Sequence, residues 1–219
     1  MKRKMNIFST LLIIVLFFIA SCTTTLTKTT TTSTKTTTTL TNVWKYENYQ
    51  GGPFKKVFVL VTVQDSVFKR LCEDEFVRQF AAHGTDSAAS YTVYLSHFIS
   101  DKESITSKIK AVEADAVLIT RLIKIDKESY VPEKKYVIPT WYYDWYSYYS
   151  RGFGFNQSPS YKDENFRVIT ETNMYDTKNE KLIWFARSEV LLVTCIRCQD
   201  ITSPIKVIVD KLSSYQLIK

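Results

Sequence analysis

The chain has 219 residues, 45% of them hydrophobic and 23% charged, with a formal net charge of +7. Lys2, Arg3, Lys4, Lys28 and Lys35 supply five of that excess, so residues 42–219, with 24 Lys/Arg against 22 Asp/Glu, are close to neutral. That near-neutrality argues against a nucleic-acid partner, which needs clustered cations to displace counterions from phosphates.

In chain order, Lys2, Arg3 and Lys4 precede an apolar run from Ile7 to Ala20 that ends in Ile19-Ala20-Ser21-Cys22. This is the layout of a signal peptide over residues 1–21. A run of that length spans about 21 Å as a helix, short of the roughly 30 Å of a bilayer core, so a permanent transmembrane helix is disfavoured. An apolar residue, then Ala-Ser, then Cys resembles the bacterial lipobox. Cys22 is therefore the expected lipid-attachment residue, with the chain cut before it and acyl chains supplying the anchor. With Thr23 after the Cys, rather than the Asp that retains enteric lipoproteins at the inner membrane, the resemblance implies the outer membrane, facing the periplasm.

Between Cys22 and Thr41, 14 of 20 residues are Thr, with Leu26 and Leu40 as the large apolar side chains. Too little apolar surface is available to offset chain ordering, so residues 22–53 are expected to be a disordered Thr-rich tether. Residues 54–219 are then a single domain, since 166 residues suffice for one core.

Lys56 to Val63 is a β-branched run suited to a strand buried on both faces. Asp65 follows as a helix N-cap, and Phe68, Leu71, Cys72, Phe76 and Phe80 recur at helical spacing until Gly84. Ser90–Phe98 reads as a second strand, Asp101–Ala114 as a second helix with Ile105, Ile109 and Val112 inward, and Ala116–Ile125 as a third strand. Phe166–Tyr175 and Leu182–Thr194 read as an antiparallel hairpin across the turn Asp176 to Lys181. A last helix is expected with Ser203 as N-cap, Pro204 first, and Ile205, Ile208, Val209, Leu212 and Tyr215 on one face. The expected fold is α/β (α+β): one mixed sheet of about five strands with three helices, plus an aromatic insertion at 130–165.

The lipobox, the tether, the strand ending before Asp65, Ala114-Asp115-Ala116-Val117-Leu118, and Tyr175-Asp176 with Lys181-Leu182-Ile183-Trp184 together resemble a family of uncharacterised bacterial lipoproteins whose domain has no assigned function. More distantly, the element order is similar to the fold shared by the TolB amino-terminal domain, LpoB, PelC and CsgG. That resemblance implies envelope scaffolding, activation of a peptidoglycan synthase or ring-forming secretion. It transfers no chemical role, because Asp65 reads as a cap and Trp184 as core.

His83 and His97 are the two histidines; His83 reads as facing the last carbonyls of a helix, and no acidic or histidine cluster accompanies His97. Neither a nucleophile elbow nor a phosphate-binding glycine loop is present. No cofactor, metal or catalytic residue is expected. Cys195 and Cys198 form a C-x-x-C, read first as a disulfide, with a bridge from Cys72 to either as another structural option. A redox-active pair and a zinc site completed by Cys72 and a histidine stay open. The densest feature is Tyr130–Tyr161, with 12 of the 31 aromatic residues. Trp141, Tyr142, Tyr143, Trp145, Tyr146, Tyr148 and Tyr149 are the candidate interaction surface, since too many adjacent rings occur for one face to bury. These readings point to a non-catalytic envelope module that contacts another envelope protein or its own copies. A glycan-binding module, for peptidoglycan or exopolysaccharide, is the alternative, and a periplasmic thiol oxidoreductase is the third class.

Overall fold

The computed structural model describes residues 37–93, 101–127, 137–152, 166–192 and 201–219. The signal segment, Cys22, His97, Cys195, Cys198 and the outer parts of the aromatic insertion lie outside the described residues. Six strands form one sheet in the order β1-β6-β5-β4-β2-β3. They are β1 (Thr37–Lys45), β2 (Lys56–Thr62), β3 (Asp86–Ala89), β4 (Ala116–Lys127), β5 (Phe166–Asp176) and β6 (Leu182–Leu192). β2 runs parallel to both β3 and β4, whereas β5, β6 and β1 continue the sheet antiparallel. The helices are α1 (Ser66–Ala82), α2 (Ser90–Val93), α3 (Lys102–Ala111), α4 (Trp145–Arg151) and α5 (Thr202–Ser214). A 3₁₀ turn covers Thr140–Tyr143. Among the described residues, six strands and five helices thus stand against the about five and three expected, and none of these helices is long and apolar enough to cross a membrane.

Side-chain alternation along β2 divides the core in two. Val57, Val59 and Val61 face a cluster with Phe76 and Phe80 of α1 and Ile208, Val209 and Leu212 of α5. Phe58 and Leu60 face the other cluster, with Ile105 and Ile109 of α3 and the rings of α4. Asp65 caps α1 as expected, accepting the Val67 and Phe68 N–H groups at 3.0 Å each. The helix ends at Gly84, whose φ of +74° is in the region that only glycine occupies without strain. The Asp115 carboxylate accepts the Lys55 and Lys56 N–H groups and ties the start of β4 to that of β2.

Three expectations are corrected. The expected tether runs through residue 53, yet Thr37–Lys45 is strand β1, paired antiparallel with β6 from Thr37 opposite Leu191 to Lys45 opposite Trp184. A threonine run without a partner cannot hold a strand, and the outer edge of β6 is that partner. Asn42 at φ 51° marks the irregularity in the pairing, and Leu40 and Val43 pack on the first core. Of the expected strand Ser90–Phe98, residues 94–98 lie outside the described residues; Ser90–Val93 is α2, and a strand precedes it at Asp86–Ala89. The buried Glu73 carboxylate accepts the Ser90 hydroxyl at 2.7 Å and the Tyr91 N–H at 3.1 Å, which turns the chain there. Finally, α5 starts at Thr202 with Ile201 in the cap position and no side-chain cap, so Ser203 is inside the helix.

Candidate functional site

The aromatic segment is held by local capping and by the sheet beneath it. Asp144 caps α4, accepting the N–H groups of Tyr146 and Ser147 and the Ser147 hydroxyl, the last at 2.6 Å. Burial opposes ionisation of Asp144, and the Ser147 and Tyr146 hydrogen bonds with Lys102 outweigh it, so the carboxyl titrates below its ordinary range. Trp145, Tyr148 and Tyr149, spaced three and four apart, are buried, as is Tyr142 from the 3₁₀ turn. Four of the seven candidate surface residues are therefore core. They cover the sheet face that carries Val117, Ile119, Tyr175 and Phe185. Trp141 and Tyr146 are half-buried, and Tyr143, at 50% exposure, is the one of the seven that is exposed. Burial first, then the nearby Glu171 charge, push the Tyr148 hydroxyl well above its ordinary pKa.

Beneath this cover lies a row of charges that strand register creates. Arg121 of β4 stands opposite Glu171 of β5, which stands opposite Arg187 of β6. Glu171 is fully buried, and its Oε1 accepts Arg187 Nη2 at 2.8 Å and Nε at 3.2 Å. Its Oε2 accepts Arg121 Nη2 at 3.1 Å and the Tyr142 hydroxyl. The Arg121 guanidinium lies 4.5 Å from the Trp141 ring centroid, 4.7 Å from Tyr148 and 5.2 Å from Tyr142. Such stacking combines cation–π attraction with charge pairing. With both oxygens of Glu171 engaged, the cluster fastens the aromatic segment to the sheet.

Where that segment meets solvent, four parts of the chain enclose a groove of about 670 Å³. Trp44 and Tyr46 come from the end of β1, Lys102 from the start of α3, Tyr143 and Asp144 from the turn before α4, and Asn179, Glu180, Lys181 and Leu182 from the β5–β6 turn. Trp44 meets Tyr143 edge-on at 6.3 Å, and Lys181 Nζ lies 6.0 Å from the Tyr46 ring. Lys102 and Glu180 pair at 2.6 Å. The combination of half-exposed rings with ions of both signs can stack on and hydrogen-bond to a bound chain. Of the expected residues that are described, Tyr143 alone lines this groove. Trp44 and Tyr46 fall inside the expected tether, although Trp44-Lys45-Tyr46-Glu47 carries a short strand-like alternation that points to them.

Cys72 is a free, buried thiol, while Cys195 and Cys198 lie outside the described residues. Burial, then Glu73 and Glu75, push its pKa up to about 12. His83 does not turn to the helix carbonyls; its Nε2 lies 3.0 Å from an Asp210 carboxylate oxygen on α5. Among the described residues no group of three or more His, Cys, Asp or Glu could hold a metal ion.

No family model matches the chain, so membership of a family of uncharacterised lipoproteins is not shown. No curated protein matches it either. Among solved structures the chain is similar to the PelC dodecamer from Paraburkholderia phytofirmans, at 12% identity and a TM-score of 0.43 over 84% of this chain and 99% of that one. A variant of the same PelC gives 12% identity and a TM-score of 0.42, over 81% of this chain and 96% of that one. Lipoprotein GNA1162 from Neisseria meningitidis gives 11% identity and a TM-score of 0.37, over 73% and 96%.

Proposed function

We propose that this chain is a lipid-anchored, non-catalytic module of the bacterial cell envelope, facing the periplasm from the outer membrane, that acts by binding through the aromatic groove. The observation that carries the reading is the groove itself. Trp44, Tyr46 and Tyr143 stay partly exposed beside Lys102, Glu180 and Lys181 while the neighbouring rings are buried. Another envelope protein, or a second copy of the chain, supplies the complementary surface. Glycan binding is the second reading, favoured by ring faces set beside Asp144, Asn179 and Glu180, side chains that can bond sugar hydroxyls. The test compares crosslinked capture by the lipidated wild type with a Trp44→Ala, Tyr143→Ala variant, and measures both masses by light scattering. Loss of a defined partner or of self-association in the variant supports the protein-binding reading. Equal capture and equal mass in both proteins reject it and turn attention to saccharide titration of the same groove.

A further inference from the structure

Between the first face of the sheet and the N-terminal turns of α1 and α5 lies a cavity of about 120 Å³. We infer that it is a binding site for one alkyl chain, of the length found in fatty acids and membrane lipids, entering end-on past Leu122, Ile125 and Val168. Phe68, Cys72 and Phe76 wall it on one side, Ile205 and Ile208 on another, and among the described residues that line it none is charged. The hydroxyls at its floor are already engaged, Thr170 with Ser188 at 2.5 Å and Thr120 with Thr172 at 3.0 Å. The Cys72 thiol, pushed up to about 12, stays neutral. A water molecule needs two to four polar partners to remain in such a space, and apolar cavities of about 150 Å³ stay dry and take up apolar guests. This one therefore favours methylene groups over water.

Its shape selects a flexible chain over a compact guest. Leu122, Ile125 and Val168, all half-buried, continue the apolar lining along β4 and β5. A chain tip can thus lie in the cavity with its following methylenes on these side chains and its headgroup in water. The inference is independent of the groove, which lies on other residues.

Palmitate is the probe, and full-length chain carrying Cys22→Ser is the unlipidated host. Native mass spectrometry should show one bound palmitate, and labelling of Cys72 by N-ethylmaleimide, mapped by peptide, should slow about tenfold on saturation, as occlusion of the cavity requires. Filling the site with Cys72→Phe or Leu122→Phe should weaken binding about tenfold, the loss of roughly two buried methylenes. Circular dichroism identifies which filled variants keep their fold, and Tyr143→Ala should bind as the host does. Absence of bound palmitate, unchanged Cys72 labelling, or undiminished binding by a folded filled variant overturns the site. Should both filled variants unfold, Cys72 protection in the host decides alone. The lipidated wild type separates the two sources of the chain: about tenfold weaker uptake than the host means that its own anchor occupies the site, and equal uptake assigns the site to free or membrane lipid.

Discussion

Replacing Glu171 with Gln keeps the shape of the side chain and removes the one negative charge between Arg121 and Arg187. Both arginine side chains are 11% exposed and Glu171 is 0% exposed, so little water can take over the lost pairing. The amide group of Gln would also turn donors toward guanidinium donors on at least one side, leaving N–H groups unsatisfied. Breaking a buried ion pair by removing one partner typically costs about 3–5 kcal/mol. The three rings stacked within 5.2 Å of Arg121 retain part of its compensation, which places the expected loss near the lower end, about 3 kcal/mol. Against a total stability of roughly 5–15 kcal/mol that is a large fraction. Urea unfolding followed by far-ultraviolet circular dichroism measures the loss. Near-ultraviolet dichroism should change as well, because Trp141, Tyr142 and Tyr148 lose their anchor. A cycle pairing Glu171→Gln with Arg187→Gln should return a coupling energy of about 2 kcal/mol. A loss under about 1 kcal/mol with unchanged aromatic dichroism would refute the view that this charge row fastens the aromatic cover.

Tyr143→Ala should alter stability by less than about 1 kcal/mol, whereas Trp145→Ala, which empties a site 4% exposed, should cost about 3–5 kcal/mol in the same urea assay; equal losses would contradict the division between groove and core. A Cβ at Gly152 would overlap the Thr62 side chain at the end of β2, so Gly152→Ala should lower stability by about 1–3 kcal/mol, and an unchanged melting temperature would show that the segment shifts freely. The Lys206 hydrogen bond, against the opposing effect of burial and with further help from His83, holds Asp210 below its ordinary pKa. Its contribution is therefore complete above the unfolded value of about 3.9 and disappears as pH falls through the lower folded value. Asp210→Asn should flatten the acid limb of a pH–stability curve below about pH 4, and an identical limb in both proteins would exclude the linkage.

Much of the fold is legible because local chemistry decides it. The β-branched run of β2 has one reading, the Asp65 carboxylate sits where it can accept two orphan N–H groups, and Ile205, Ile208, Val209 and Leu212 repeat at helical spacing whatever surrounds them. The hairpin is equally local, since Asp176 and Asn179 bond to the turn that they themselves build. Where a residue's state depends on a distant partner, the sequence is silent. The threonines of β1 have the propensity for a strand but become one only against β6, more than a hundred residues later. The rings of α4 are core because the second sheet face stands behind them, and no property of Tyr148 distinguishes it from exposed Tyr143.

The same division runs through the sites. From the sequence alone come the near-neutral charge of residues 42–219, the density of aromatic residues, and the elements β2, α1, β4, the β5–β6 hairpin and α5, all of which depend on residue type and short-range spacing. Tertiary structure alone brings Arg121, Glu171 and Arg187 into one row, because pairing register across three strands sets which residues stand opposite, and a shift of one residue would put their side chains on the other face. It also sets Trp44 beside Tyr143, about a hundred residues apart, and leaves space under the ends of α1 and α5, since packing geometry is a property of surfaces meeting and not of any one segment.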